Sequence, residues 1–127
     1  MIGETDMIGY ATIGSNDLEK AKSFYDTVLT PLGGKRAFAS DRMQGYAGAG
    51  GAMLAVCTPY NGETAQPGNG NMVALQAPSP DVIAETYKLA LANGATDEGE
   101  PGERMPGFYG AYFRDLDGNK VCVFKMG

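Results

Sequence analysis

The chain has no histidine and no tryptophan, and only two cysteines among its 127 residues. The missing histidines remove the commonest metal ligand and the commonest general base together. Cys57 and Cys122 lie far apart and form neither a CxxC pair nor a zinc spacing, so they read as free thiols of a reducing compartment. Basic charge is also scarce: 10 Lys and Arg stand against 15 Asp and Glu, for a net charge of −5. With no basic run or stripe, nucleic acid is excluded as the expected partner, and an acidic surface of this size serves solubility. No stretch approaches the roughly 20 apolar residues of a membrane helix. The opening Met1–Gly9 carries Glu4 and Asp6 and lacks a basic start. It does not read as a signal peptide, and the cytoplasm is the default location.

What remains suits one compact domain over 1–127, with 43% hydrophobic and 20% charged residues. Nineteen glycines predict many tight turns. Met7–Gly14 reads as a strand. Ser15-Asn16-Asp17 then starts a helix to about Thr30, with Glu19 three residues after Asn16 in the manner of a capping box. Leu18, Ala21, Tyr25, Val28, Leu29 and Leu32 fall on its apolar face. Strands are expected at 35–40, 43–49 and 52–58, followed by a Gly- and Pro-rich linker over 59–70. The pattern then recurs. Asn71–Ala77 reads as a strand, and Ser79-Pro80 caps a helix ending at Asn93-Gly94. A short strand falls within 95–104, and a hairpin over 108–125 turns at Asp117-Gly118-Asn119. A shift of 62 places Tyr10 on Met72, Asp17 on Ser79, Tyr25 on Tyr87 and Leu29 on Leu91. Half of such a repeat would expose one sheet face, so two halves must pack together, within the chain or between chains.

Two segments carry a family likeness. Ile13-Gly14-Ser15-Asn16-Asp17-Leu18-Glu19-Lys20-Ala21 with Phe24-Tyr25 resembles the opening motif of the glyoxalase/bleomycin-resistance/dioxygenase (vicinal oxygen chelate) superfamily. Tyr112-Phe113-Arg114-Asp115-Leu116-Asp117-Gly118-Asn119 resembles its closing hairpin, with Leu116 where proline is usual. The resemblance implies an α+β fold of two tandem βαβββ modules, about 7–58 and 71–126, forming a curled, cavity-bearing mixed sheet. It also implies a homodimer. In metal-dependent relatives, inward His and Glu residues hold a divalent ion that acts as a Lewis acid. Those positions fall here on Tyr10, Met72, Cys122 and, by a looser alignment, Ala55. Such a set does not suit Mg, Mn, Fe or Ni, so no metal and no cofactor are expected.

The expected function is therefore binding of a small organic ligand in a cavity between the modules. The alternatives are a lyase or isomerase of the same superfamily, similar to lactoylglutathione lyase, or an interaction protein whose cavity has collapsed. Candidate ligand-contacting residues are Tyr10, Met53, Cys57, Met72, Arg104, Tyr109 and Cys122. Tyr10 reads equally as a hydrogen-bonding phenol or as an aromatic filling the metal's space. Met72 reads as apolar filler, and the two cysteines as small buried hydrophobes. Glu100–Gly107 reads as a solvated loop whose Arg104 pairs with Glu100 or Glu103, or else as a lid whose Arg104 grips an anion. Tyr109 and Tyr60 are rim aromatics. Asp115, Asp117 and Asn119 lack the distal ligands of a calcium loop and read as a turn.

Overall fold

The computed structural model describes residues 7–127; Met1–Asp6 of the opening segment lie outside the described residues. Two four-stranded mixed sheets each carry one helix. The first module holds β1 (Tyr10–Gly14), α1 (Leu18–Val28), β2 (Lys35–Ser40), β3 (Met43–Ala47) and β4 (Met53–Cys57). The second holds β5 (Val73–Gln76), α2 (Pro80–Ala92), β6 (Thr96–Met105), β7 (Phe108–Arg114) and β8 (Lys120–Met126). Strand order is β1-β4-β3-β2 in one sheet and β5-β8-β7-β6 in the other. In each, the first strand pairs in parallel with the last and the remaining pairs are antiparallel. This is the doubled α+β arrangement expected from the repeat, and the two helices begin 62 residues apart, at Leu18 and Pro80.

Local chemistry explains most boundaries. Asp17, rather than Asn16, caps α1: its carboxylate accepts from the Lys20 backbone N–H at 3.1 Å. The expected capping box is therefore not formed. Glu19 instead pairs with Lys22 across an exposed turn, and Asn16 is engaged over a long range, as described below. Ser79 caps α2 through the Val82 N–H at 3.3 Å, with Pro80 at the first helical position. The first helix stops at Val28, and Leu32 falls in a short 3-10 turn, Thr30–Leu32. Gly118, at φ +86°, supplies the left-handed turn that closes the β7–β8 hairpin.

The segment before β7 departs from the expected loop or lid. Thr96–Met105 is one ten-residue strand, paired with β7 through several register shifts. It is an edge strand, where Pro101 removes no ladder hydrogen bond that a neighbour needs.

Alternation along the strands sorts the side chains into two faces. Tyr46, Leu54 and Val56 of the first sheet, and Ala111, Phe113, Val121 and Val123 of the second, join Phe24, Tyr25, Val28, Ile83 and Ala90 of the helices in a single buried cluster. Phe24 meets Phe113 edge-on at 6.2 Å between centroids, so α1 packs against the other module's sheet as well as its own. Both sheets thus turn one face toward a shared helical core, and their other faces point away from it.

Candidate functional site

Five side chains interlock the modules. The Asp115 carboxylate, 5% exposed, accepts from Tyr25 Oη at 2.6 Å, from the backbone N–H groups of Asp117 and Asn119 at 2.9 Å each, and from Asn119 Nδ2 at 3.1 Å. Asn119 Nδ2 also donates to the Gly14 carbonyl at 2.8 Å. Asn16 donates its N–H to Asp117 Oδ1 at 2.9 Å and exchanges two hydrogen bonds with the backbone of Ala65 in the linker. Both Asp115 oxygens face two donors each from the protein, which leaves Asp115 no role toward a cation and supports the turn reading. Burial, with the Asp115 charge beside it, pushes the Tyr25 phenol well above its ordinary value, so Tyr25 remains a donor at all physiological pH. Sequence reasoning had the turn but not this interlock, because nothing in local spacing reveals that Asn16 and Tyr25 reach across about a hundred residues.

Beside the interlock, an open cleft of about 450 Å³ lies between the modules. It is lined by Thr12 and Gly14 of β1, by linker residues including Pro67 and Asn71, and by Met72, Val73 and Lys120 of the second module. No carboxylate lines it, and Lys120 is its one charged lining residue.

The residues expected to contact a ligand are distributed over several places. Met72, 47% exposed, lines the cleft. Tyr10, Met53 and Cys57 lie on the outward face of the first sheet, since Tyr10 and Met53 are register partners and the intervening Leu54 and Val56 face the core. Tyr10 is 57% exposed and meets Phe38 edge-on at 6.0 Å, so it fills no enclosed space. Cys122 lies on the outward face of the second sheet, opposite Tyr112, and is fully buried by its neighbours. Burial raises its thiol above the ordinary range, opposed by Tyr112, Arg104 and Lys120. Arg104 is close to that pair, with its guanidinium 5.2 Å from the Tyr112 ring centre. It pairs with neither Glu100 nor Glu103 through a carboxylate; its contact is the Glu100 carbonyl. Tyr109 packs against the core cluster, on the side opposite Tyr112. Tyr60 is 90% exposed under Arg42, at the far end of the first sheet. Tyr112 and Lys120, absent from the expected set, belong with Cys122. Counting back from the hairpin turn would have placed them there.

The positions that hold a metal in metal-dependent relatives do not fit one here. Tyr10 and Ala55 lie on one sheet, and Met72 and Cys122 belong to the other module. They offer a phenol, a methyl, a thioether and a buried thiol held protonated, with no carboxylate or imidazole. Among the described residues no three His, Cys, Asp or Glu side chains converge in a way that could hold an ion.

Two mixed sheets built from repeated βαβββ units, with a cleft at the module junction, define a glyoxalase-like protein. The profile of the Glyoxalase/Bleomycin resistance protein/Dioxygenase superfamily matches residues 7–123, and the chain belongs to that family. Among solved structures, a glyoxalase/bleomycin resistance protein from Albidiferax ferrireducens T118 is similar at 37% identity and TM-score 0.87, over 94% of this chain and 98% of that one. A glyoxalase-related enzyme from Fulvimarina pelagi shares the fold at 20% identity and TM-score 0.76, covering 94% and 88% of the two chains. A lactoylglutathione lyase from Agrobacterium tumefaciens does so at 21% identity and TM-score 0.69, covering 95% and 94%. Comparison with curated proteins gave no significant match. Among the described residues no helix is long and apolar enough to cross a membrane.

Proposed function

We propose that this chain is a metal-free, ligand-binding member of its superfamily, holding a small organic molecule in the cleft between its modules and working as a cytoplasmic homodimer. The observation that carries the reading is the lining of the cleft: neutral polar groups, a few apolar walls and one cation, without the carboxylates a divalent ion requires. The homodimer is supported by the outward sheet faces. Tyr10 and Phe38, in edge-on contact with each other, remain 57% and 37% exposed in a single chain, an apolar pair that a second copy would cover.

The test is to melt the chelated protein with added Ni, Zn, Mn, Mg or Fe(II) while assaying methylglyoxal–glutathione conversion and measuring mass by light scattering. The expected result is a dimer whose melting none of these ions raises. An ion bound only by the native state would stabilise it by about 2.7 kcal/mol at a hundredfold excess over its dissociation constant. A saturable rise of that size, removed by Tyr10→Phe or Cys122→Ser, would overturn the metal-free reading and favour the lyase.

A further inference from the structure

Two cations lie against one aromatic ring, and one of them, Lys120, also lines the cleft. Arg104 places its guanidinium carbon 5.2 Å from the Tyr112 ring centre, and Lys120 places its ammonium 5.5 Å from the same centre. Neither forms an ion pair among the described residues, although the chain as a whole is acidic. Each cation lies against the ring and has no carboxylate partner to neutralise it, which leaves both charges open to an added anion.

The guanidinium is also preorganised. The Glu100 carbonyl accepts from Nη2, which leaves Nε and Nη1 free to donate. Gly99 and Gly102 clear the space around it: a Cβ at Gly99 would come within 3.1 Å of Nη2, and one at Gly102 within 2.9 Å of Nη1. Planar, anchored guanidinium edges suit a carboxylate, and a nearby ammonium adds charge without geometric demand. Lys120 lines the cleft, whose Ile13, Pro67, Met72 and Val73 supply apolar wall.

We propose that Arg104 and Lys120, gathered on Tyr112, form a head-group site for a small organic carboxylate whose apolar body lies against the cleft wall. The assignment rests on the ligand-binding reading above and gives it a substrate class.

Benzoate, benzamide and inorganic phosphate, titrated calorimetrically into the full chain, separate charge from shape. The expected result is benzoate bound at least about tenfold more tightly than neutral benzamide, and more tightly than phosphate. Arg104→Gln and Lys120→Gln should each weaken benzoate by about tenfold while leaving benzamide unchanged. Lys88→Gln, the same charge loss at an exposed site on α2, should leave both unchanged. Gly102→Ala keeps every charge but crowds Nη1, so benzoate affinity should fall while melting temperature holds, because the displaced atom ends a flexible side chain. The proposal is overturned if benzoate fails to bind up to its solubility limit, if benzamide or phosphate matches it, or if the Arg104 and Lys120 variants behave like Lys88→Gln. Benzamide binding with no preference for benzoate would sink this assignment and leave the ligand-binding reading standing. A metal-driven rise in melting would sink that reading instead.

Discussion

Tyr25→Phe removes one oxygen and leaves the ring packed against Phe24 and Tyr46, at centroid separations of 4.9 and 6.2 Å. The lost atom donates at 2.6 Å to the buried Asp115 carboxylate, whose Oδ2 would retain only Asn119 Nδ2 at 3.1 Å. A hydrogen bond to a buried charge is worth about 1.5–3 kcal/mol, and leaving the charge under-satisfied puts the cost at the upper part of that range. For 127 residues, each kcal/mol corresponds to about 4 °C in melting temperature, so the variant should melt roughly 9–12 °C lower. The assay is thermal and urea denaturation of both proteins at one protein concentration, with an unchanged urea slope showing that the unfolded state is the same. Tyr46→Phe is the internal contrast. That hydroxyl bonds the Lys22 carbonyl and Asp26, and Asp26 is exposed enough for water to replace the phenol, so its loss should cost only about 1 kcal/mol. A Tyr25→Phe variant within about 0.5 kcal/mol of the parent would refute the reasoning, because that is the scatter of an ordinary surface substitution.

Two further outcomes follow from titrating groups. Arg36, hydrogen-bonded to both Asp26 oxygens at 2.9 Å, holds that carboxyl below its ordinary value. A lowered carboxyl contributes stability above its unfolded value, near pH 4, and loses it as pH falls through the folded value. Acid should therefore destabilise the parent more steeply below about pH 4 than it does Arg36→Gln, and superimposable acid curves would contradict this. The Cys122 thiol is raised and inaccessible while Cys57 is half-buried. At mildly alkaline pH a thiol reagent should label Cys57 first on the native protein, and peptide mapping that finds Cys122 modified equally fast would count against the described burial.

Much of the architecture was readable locally. Both helices, the closing hairpin and the 62-residue repeat follow from caps, turn residues and periodicity, which depend on neighbours in sequence. The failures have a common cause. Asn16 looked like a helix cap but spends its amide on Ala65 and its N–H on Asp117. Glu100–Met105 looked like loop because glycine and proline weaken strand propensity, yet pairing with β7 overrides that preference. The site was harder still. Alternation assigns Tyr10 and Cys122 to a face without saying what covers the face. Tyr109 reads as a rim aromatic from its place beside the loop, yet it shares parity with Ala111 and Phe113, both 0% exposed, and that parity points it to the core. Tyr112, one residue from that parity, faces outward beside Cys122.

The interlock around Asp115 has a consequence for recognition. The segments that make the chain identifiable, Ile13–Ala21 and Tyr112–Asn119, supply Gly14, Asn16, Asp115, Asp117 and Asn119, which fasten one half of the molecule to the other. They are constrained by assembly. The positions that carry a metal in metal-dependent relatives, Tyr10, Met72, Cys122 and Ala55, make none of these bonds, so their identity can change without loosening the joint. For proteins of this architecture, a matching signature reports how the halves are joined.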